Sequence, residues 1–256
     1  MAVETVVKTI GTTGTFSTIQ SWHDGAPTAL TTAERSACGT FATATFVQGE
    51  ALTFFGSGAT GVMLDTDSTG VGTGTYMTYG ITTGNPAAAD VITGTSTATC
   101  ILTSGTPDFT GIIWQGQCQN QDFSSAGTVV TFSGKTVSTT TYMHLTTASV
   151  ASFRDHATAS TNPLRIDSTK GATITSTGGA AGTVAGGGTG LRISNLQIRA
   201  TGVGSRALTM TGTSQIMENC ILEGTLTAAP TTNATLLFGN GASCTVRNTV
   251  VRQRAS

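Results

Sequence analysis

The chain has 256 residues, of which only 10% are charged, with 12 Lys+Arg against 13 Asp+Glu and a formal net charge of −1. It carries 55 Thr and 33 Gly, so uncharged hydroxyls do much of the solvating, and the β-branched body of its commonest residue favours strands over helices. A disordered chain would lack apolar strand segments such as Val129-Val130-Thr131-Phe132 and Leu191-Arg192-Ile193, and a nucleic-acid binder would need a denser basic patch with interleaved aromatics.

The charge is unevenly placed. Residues 1–190 hold 6 basic and 11 acidic side chains, whereas residues 191–256 hold 6 and 2, the basic ones being Arg192, Arg199, Arg206, Arg247, Arg252 and Arg254. Two readings stay open: solvated Arg on outward strand faces, or a docking surface for an acidic protein partner. The five cysteines (Cys38, Cys100, Cys118, Cys220 and Cys244) are odd in number and show no C-x-x-C spacing. No zinc site is expected, and Cys220 and Cys244 read as small buried apolar groups, which fits a reducing compartment. Residues 1–14 contain no apolar core of a signal peptide, and no run of 18 apolar residues occurs, so neither secretion signal nor membrane span is expected.

In chain order, residues 5–10 alternate as a strand, and Gly11-Thr12-Thr13-Gly14 make a turn. Residues 17–24 predict a short helix capped by Ser17, with Ile19, Trp22 and His23 on one side, suited to hiding the terminal rung of a solenoid. A second short helix is expected at residues 31–35, capped by Thr31 or Thr32.

Residues 40–108 contain a weak duplication. Gly49-Glu50-Ala51-Leu52-Thr53 followed by Ser57-Gly58-Ala59-Thr60 matches Ala89-Asp90-Val91-Ile92-Thr93 followed by Ser96-Thr97-Ala98-Thr99, with a one-residue gap. This predicts two related β-hairpins in a small sandwich or barrel, with Tyr76, Met77 and Tyr79 on a linking strand.

From about residue 110 the spacing suits stacked coils. Ile193-Ser194-Asn195-Leu196-Gln197-Ile198, Met217-Glu218-Asn219-Cys220-Ile221-Leu222 and Val246-Arg247-Asn248-Thr249-Val250-Val251 overlay, with their Asn residues 24 and 29 positions apart. Asn195, Asn219 and Asn248 read as structural corners, because Asn tolerates left-handed backbone, and stacked corners would let their amides form a ladder. Asn240-Gly241 is the one Asn-Gly there, which speaks against serial hairpins. About six coils at a ~4.8 Å step would occupy residues 110–256. Their apolar residues would be Ile193, Leu196, Ile198, Ile216, Cys220, Leu222, Val246 and Val250, and the Gly-rich stretch 178–190 reads as a loop leaving the coil. The expected fold is all-β: a right-handed parallel β-helix with an N-terminal capping helix and an inserted small β-sandwich or barrel module. Its parts are residues 1–39 (strand and capping helices), 40–110 (the inserted module) and 111–256 (the β-helix).

Clear chemistry is scarce. His23, His144 and His156 lie far apart, and an Asp155–His156 pair reads as structural rather than catalytic. Asp65 and Asp67 would stand ~7 Å apart on one strand face but precede a turn at Ser68-Thr69-Gly70. Glu218 and Glu223 flank an Asn corner and are candidates for acting on a sugar. Trp114 reads as core, with a sugar platform as its alternative. No catalytic, cofactor-binding or metal-binding residue is assigned. Residues 249–252 form the last strand read, and an exposed final coil is an open edge that invites pairing. Arg247, Val251, Arg252 and Arg254 are therefore the expected oligomer or docking surface, most simply in a homotrimer.

Two sets of motifs carry a family resemblance. Lys8-Thr9-Ile10-Gly11-Thr12 with Phe16-Ser17-Thr18-Ile19-Gln20-Ser21-Trp22 resembles the start of bacteriophage right-handed parallel β-helix virion surface proteins, of the head-decoration, head-spike or tailspike-like kind. The segments from His144 to Arg165, 193–198 and 218–224 resemble them too. The resemblance implies a non-enzymatic structural component that decorates the capsid or forms a head-spike base. It implies a protein made in the host bacterial cytoplasm and placed on the virion surface. The partners it implies are the chain itself, the major capsid protein or other virion proteins, with no cofactor, nucleic acid or membrane. The alternative is a tailspike or receptor-binding protein that binds or cleaves host surface glycans.

Overall fold

The computed structural model describes residues 2–39, 41–42, 45–66, 75–148, 150–155, 165–178, 184–187, 189–202, 206–226, 235–239 and 242–255. Among them the regular structure is strand, apart from one six-residue α-helix and one 3₁₀ turn, and long parallel sheets run through it. The protein is therefore all-β, as the Thr content requires. It divides into two compact units, Met1–Thr5 with Ala29–Ile113 and Val6–Thr28 with Trp114–Ser256. The first therefore takes in residues 29–39, read from the sequence as part of the N-terminal segment.

The chain opens with β1 (Ala2–Ile10) and α1 (Ile19–Asp24). Thr18, not Ser17, caps α1: its hydroxyl accepts from Ser21 N–H, and the Ser21 hydroxyl accepts from Thr18 N–H. Ile19, Trp22 and His23 are its buried face, as their spacing predicts.

The unit containing residues 29–113 is antiparallel. The strands are β2 (Glu34–Cys38), β3 (Ala51–Phe55), β4 (Thr60–Thr66), β5 (Thr75–Thr83), β6 (Val91–Gly94) and β7 (Thr99–Ile101). They pair in the order β2-β5-β4-β3-β6-β7, and bridges from Cys38 to Leu102 and from Ala42 to Thr99 bring β7 back to the end of β2. The helix expected at residues 31–35 is replaced by β2. Pairing with β5 decides this, because it buries Arg35 with its guanidinium 5.1 Å from the Tyr76 ring and a bond to the Thr78 hydroxyl. Phe41, Phe46, Leu52, Phe54, Met63, Met77, Tyr79 and Ile92 fill the core.

The duplication is present in the backbone. Hairpins β3–β4 and β6–β7 pair through β3 and β6, with Thr53 opposite Thr93. Gly49 N–H donates to Met63 O and Met63 N–H to Glu50 O; Ala89 N–H donates to Leu102 O and Leu102 N–H to Asp90 O. Gly58 and Thr97 occupy matching left-handed turn positions. Each copy's carboxylate binds the other copy's turn. Glu50 accepts from Ser96 N–H (2.8 Å) and Asp90 from Ser57 N–H (2.9 Å) and the Ser57 hydroxyl (2.5 Å). Each also accepts a backbone N–H three residues earlier, from Val47 and Ala87.

In the unit containing residues 114–256 the chain visits three parallel sheets in fixed order. The first circuit is β8 (Phe109–Cys118), β9 (Asp122–Ser125) and β10 (Val130–Phe132); the second is β11 (Met143–Thr147), β12 (Thr173–Ser176) and β13 (Val184–Gly186). The third is β14 (Leu191–Ser194), β15 (Gln197–Ala200) and β16 (Leu208–Met210), and the fourth β17 (Gln215–Glu218), β18 (Ile221–Leu226) and β19 (Leu236–Phe238). Then β20 (Cys244–Arg247) and β21 (Val250–Ala255) begin a fifth. This is fewer than the six expected, because long segments between strands lengthen the early circuits. Thr173 to Gln197 and Gln197 to Ile221 are 24-residue steps, but Asp122 pairs with Thr173.

Parallel pairing stacks like on like. Phe123, Ile174, Ile198, Leu222 and Val251 form one inward column, Leu145, Ile193, Met217 and Val246 another, and Phe132, Gly186, Met210 and Phe238 a third. The third column corrects the loop expected at 178–190. Val184–Gly186 is a strand, and Gly186 is suited to its place between Phe132 and Met210, where an added Cβ would lie 3.1–3.2 Å from Gln215 and Leu191. Residues 179–183 and Asn240-Gly241 lie outside the described residues.

Two outcomes are expected. Burial works against ionising Asp90, but the Ala87 and Ser57 N–H groups and the Ser57 hydroxyl outweigh it and hold the carboxyl below its ordinary value. Its stabilisation is therefore present above the ordinary value of 3.8 and lost as pH falls through the lowered one. Asp90→Asn turns an amide toward donors and should cost about 2 kcal/mol in urea unfolding at pH 7. Second, a Cβ on Gly116 would lie 2.5 Å from Trp22 and 2.7 Å from Ile10. Gly116→Val should destabilise by about 1–3 kcal/mol and red-shift the tryptophan emission, since both Trp side chains are otherwise buried.

Candidate functional site

The three Asn corners join the first sheet to the second. Asn195, Asn219 and Asn248 have φ of 61°, 55° and 49°, the left-handed conformation that Asn accepts at low cost. Their N–H groups extend the parallel ladder around the bend, with Asn195 donating to Glu218 O and Asn219 to Arg247 O, each at 3.2 Å. The expected amide ladder is not formed. The Asn195 amide donates instead to the hydroxyls of Thr146 (3.4 Å) and Ser194 (3.5 Å). An open cleft of about 370 Å³ lies beside the later corners, lined by Phe153, Arg154, Asn219, Ile221, Asn248 and Val250 among others.

Glu218 and Glu223 do flank the Asn219 corner, but they stand on strands of two different sheets. Glu218 stands in the first sheet between Ser194 and Arg247, and both Nε and a terminal nitrogen of Arg247 lie 2.7 Å from its Oε2. Glu223 stands in the second sheet between Arg199 and Arg252, with Arg199 Nε at 3.7 Å. Charge thus alternates along both outward columns. Asp65 lies on strand β4 rather than in a turn, and Asp67 is outside the described residues. Trp114 is fully buried, and its Nε1–H donates to Trp22 O.

The two ends of the stack differ. At the first circuit α1 closes the free edge of β10: Gln20 Oε1 accepts from Thr131 N–H (3.0 Å) and His23 Nε2 from Ser133 N–H (3.2 Å). That places the His23 ring proton on Nδ1, which donates to Asp24 (2.9 Å). The hydrogen bond from His23 leads in holding the Asp24 carboxyl below its ordinary value. Sequence patterning foresaw the buried face of α1 but not these two edge-capping side chains, which carry no motif. The described part of the stack ends on β19 of the fourth circuit and on β20 and β21 of the fifth, each the last strand of its sheet among the described residues. Phe238, Val246 and Val251 are 46%, 37% and 47% exposed, although Met210, Met217 and Leu222 directly before them in the same columns are fully buried. Of the expected docking residues, Arg247, Val251 and Arg252 lie on this circuit; the side chain of Arg254 is outside the described set.

His144 Nε2 sits 2.9 Å from Ser194 Oγ, which donates to the Thr146 hydroxyl. His156 lies outside the described residues. All five cysteines are free, and burial pushes Cys220 up to about 12 and raises Cys118 and Cys244 as well. Contact with the Cys38 thiol, together with burial, raises Cys100. Among the described residues no group of three or more His, Cys, Asp and Glu could hold a metal, and no helix is long and apolar enough to cross a membrane.

What fold and site define is an all-β protein of stacked parallel strands whose first circuit is covered by α1. No protein-family model, curated protein or solved structure matches the chain.

Burial, with the Arg192 charge second, lowers His144 from 6.5 to about 4. The unfolded chain takes up this proton near pH 6.5 and the folded chain only near 4, so stability is complete above 6.5 and falls as pH drops to 4. The loss should be roughly 3 kcal/mol. NMR titration should show a neutral ring at pH 5, and His144→Asn should remove this part of the pH dependence.

Proposed function

We propose that the chain is a non-enzymatic structural component of a bacteriophage virion, decorating the capsid surface or forming a head-spike base. In this reading the three-sheet stack is a right-handed parallel β-helix capped by α1, and the antiparallel unit is an inserted small β-barrel. The carrying observation is where the motifs of resemblance fall. Lys8 and Phe16 pack about Trp114, with the Lys8 ammonium 5.7 Å and the Phe16 ring 6.4 Å from its ring; Trp22 and His23 seal the first circuit, and 193–198 and 218–224 make the repeating corners. A labelled antibody should mark regular positions on the surface of intact particles. Particles that carry no copy of the protein would sink the proposal.

The cleft beside Asn219 and Asn248 favours a second reading, in which the protein binds a host surface glycan. Its amides, the Arg154 side chain and the Phe153 ring match sugar hydroxyls, a carboxylate and a ring face. Binding on a glycan array that is lost in Asn248→Ala would favour it. Turnover of host polysaccharide lost in Glu218→Gln or Glu223→Gln would favour its enzymatic form.

A further inference from the structure

We infer that a shallow cleft on the outward face of the first sheet binds one carboxylate-bearing sugar residue, of the uronic acid kind. Arg192 holds the carboxylate, Ile216 takes the apolar ring face, and Ser214, Ser243 and Thr245 meet the ring hydroxyls. The site is separate from the cleft beside Asn219 and Asn248, and it rests neither on that reading nor on phage origin.

Parallel register builds the cleft. Arg192, Ile216 and Thr245 are consecutive members of one column across β14, β17 and β20. Gly190, Ser214 and Ser243 immediately precede the same three strands. Neighbouring strands ~4.8 Å apart, with positions two residues apart at ~7 Å, make this grid about 10 Å by 7 Å, enough for one sugar ring. The cleft holds about 140 Å³, and Ser138, Thr139 and Tyr142 also line it. Gly190 lets that segment come close: its φ is 62°, and a Cβ there would lie 2.9 Å from Ser138 O.

The side chains select the ligand. The Arg192 guanidinium lies 3.7 Å over the Tyr142 ring, and one of its nitrogens approaches Thr139 O at 3.5 Å, so the cation is held in place. Arg199 and Arg247 have Glu223 and Glu218 beside them, but the column neighbours of Arg192 are His144 and Ile216. His144 is neutral at pH 7, and among the described residues no carboxylate pairs with Arg192. A planar guanidinium fixed in this way offers its fork to a carboxylate from outside. The Ser214, Ser243 and Thr245 hydroxyls are exposed and bond to no other described residue, so each can both donate and accept. Ile216 stands half-buried between Arg192 and Thr245 as an apolar floor. A ligand matched to all three features carries one carboxylate, several hydroxyls and an apolar C–H face. A simple carboxylic acid lacks the hydroxyls, and a peptide C-terminus brings one amide where the cleft offers three hydroxyls.

Glucuronate added to the full chain at pH 7 should shift the ring NMR signals of His144, which pairs with Arg192 in register, and leave those of His23 in place. The shift should saturate with a dissociation constant on the order of 1 mM, as a single sugar residue allows. Glucose, acetate and N-acetylalanine should each bind at least about tenfold more weakly. Arg192→Gln should weaken glucuronate binding by about tenfold or more. Thr245→Glu, which sets a rival carboxylate on an exposed position and leaves the Arg192–Tyr142 contact alone, should weaken it about fivefold. Arg154→Gln, in the other cleft, should change nothing. Equal binding of glucose, acetate or N-acetylalanine, no shift at His144, or unchanged binding in both Arg192→Gln and Thr245→Glu would overturn the inference. Loss of binding in Arg154→Gln would overturn it too, by placing the sugar in the other cleft. Particle labelling does not depend on any of these results, so loss of this site and loss of the virion reading are separately visible.

Discussion

In-register parallel pairing puts every side chain of a circuit directly over its counterpart one circuit earlier, at a ~4.8 Å step. Most features of the larger unit follow from that constraint. Apolar residues must form unbroken inward columns, as Phe123, Ile174, Ile198 and Leu222 do, and in the third column Gly186 stands between Phe132 and Met210. Charges must alternate or be absent, which is what Arg199, Glu223 and Arg252 show. The first circuit has no preceding rung in its third sheet, and α1 covers that edge, with the Gln20 amide and the His23 imidazole accepting from backbone donors that water would otherwise serve.

The same geometry explains how a chain with so few charges satisfies its polar groups. Thr177, Thr201 and Thr225 recur at 24-residue intervals at the ends of the second-sheet strands, and each hydroxyl donates to a carbonyl one circuit earlier: Ser125, Ser176 and Ala200. Gln197 and Gln215 are fully buried, yet their amides donate to Gly171 O and Gly186 O within the stack. A short hydroxyl or amide reaches a backbone acceptor one rung away without displacing an apolar column. Buried polar groups are tolerated when paired in this way. Threonine adds a β-branched body that suits the strand as well.

The antiparallel unit uses a different device. Its two hairpins are copies, and the carboxylate that begins each one is spent on the turn of the other. Glu50 and Asp90 therefore tie local sequence to long-range pairing: neither turn is fully bonded unless β3 and β6 are side by side. Four residues, Glu50, Ser57, Asp90 and Ser96, hold the register of both hairpins.

How much of this was legible follows from the range of each interaction. The all-β class, the α1 face, the duplicated hairpins and the Asn corners depend on residues within a few positions of one another, so Thr content, apolar spacing and the Asn repeat by themselves determined them. The choice of strand over helix at Glu34–Cys38 turned on Tyr76 and Thr78, more than 40 residues away in sequence. The strand at Val184–Gly186 depended on Phe132 and Met210 above and below it, since glycine alone reads as loop. Pairing the carboxylates Glu218 and Glu223 with arginines, and leaving Val246 and Val251 exposed, likewise needed the register of successive circuits. Sequence spacing sets which face a residue occupies on its own strand; only tertiary pairing decides what stands above and below it, because that neighbour comes from a circuit whose length local sequence does not specify.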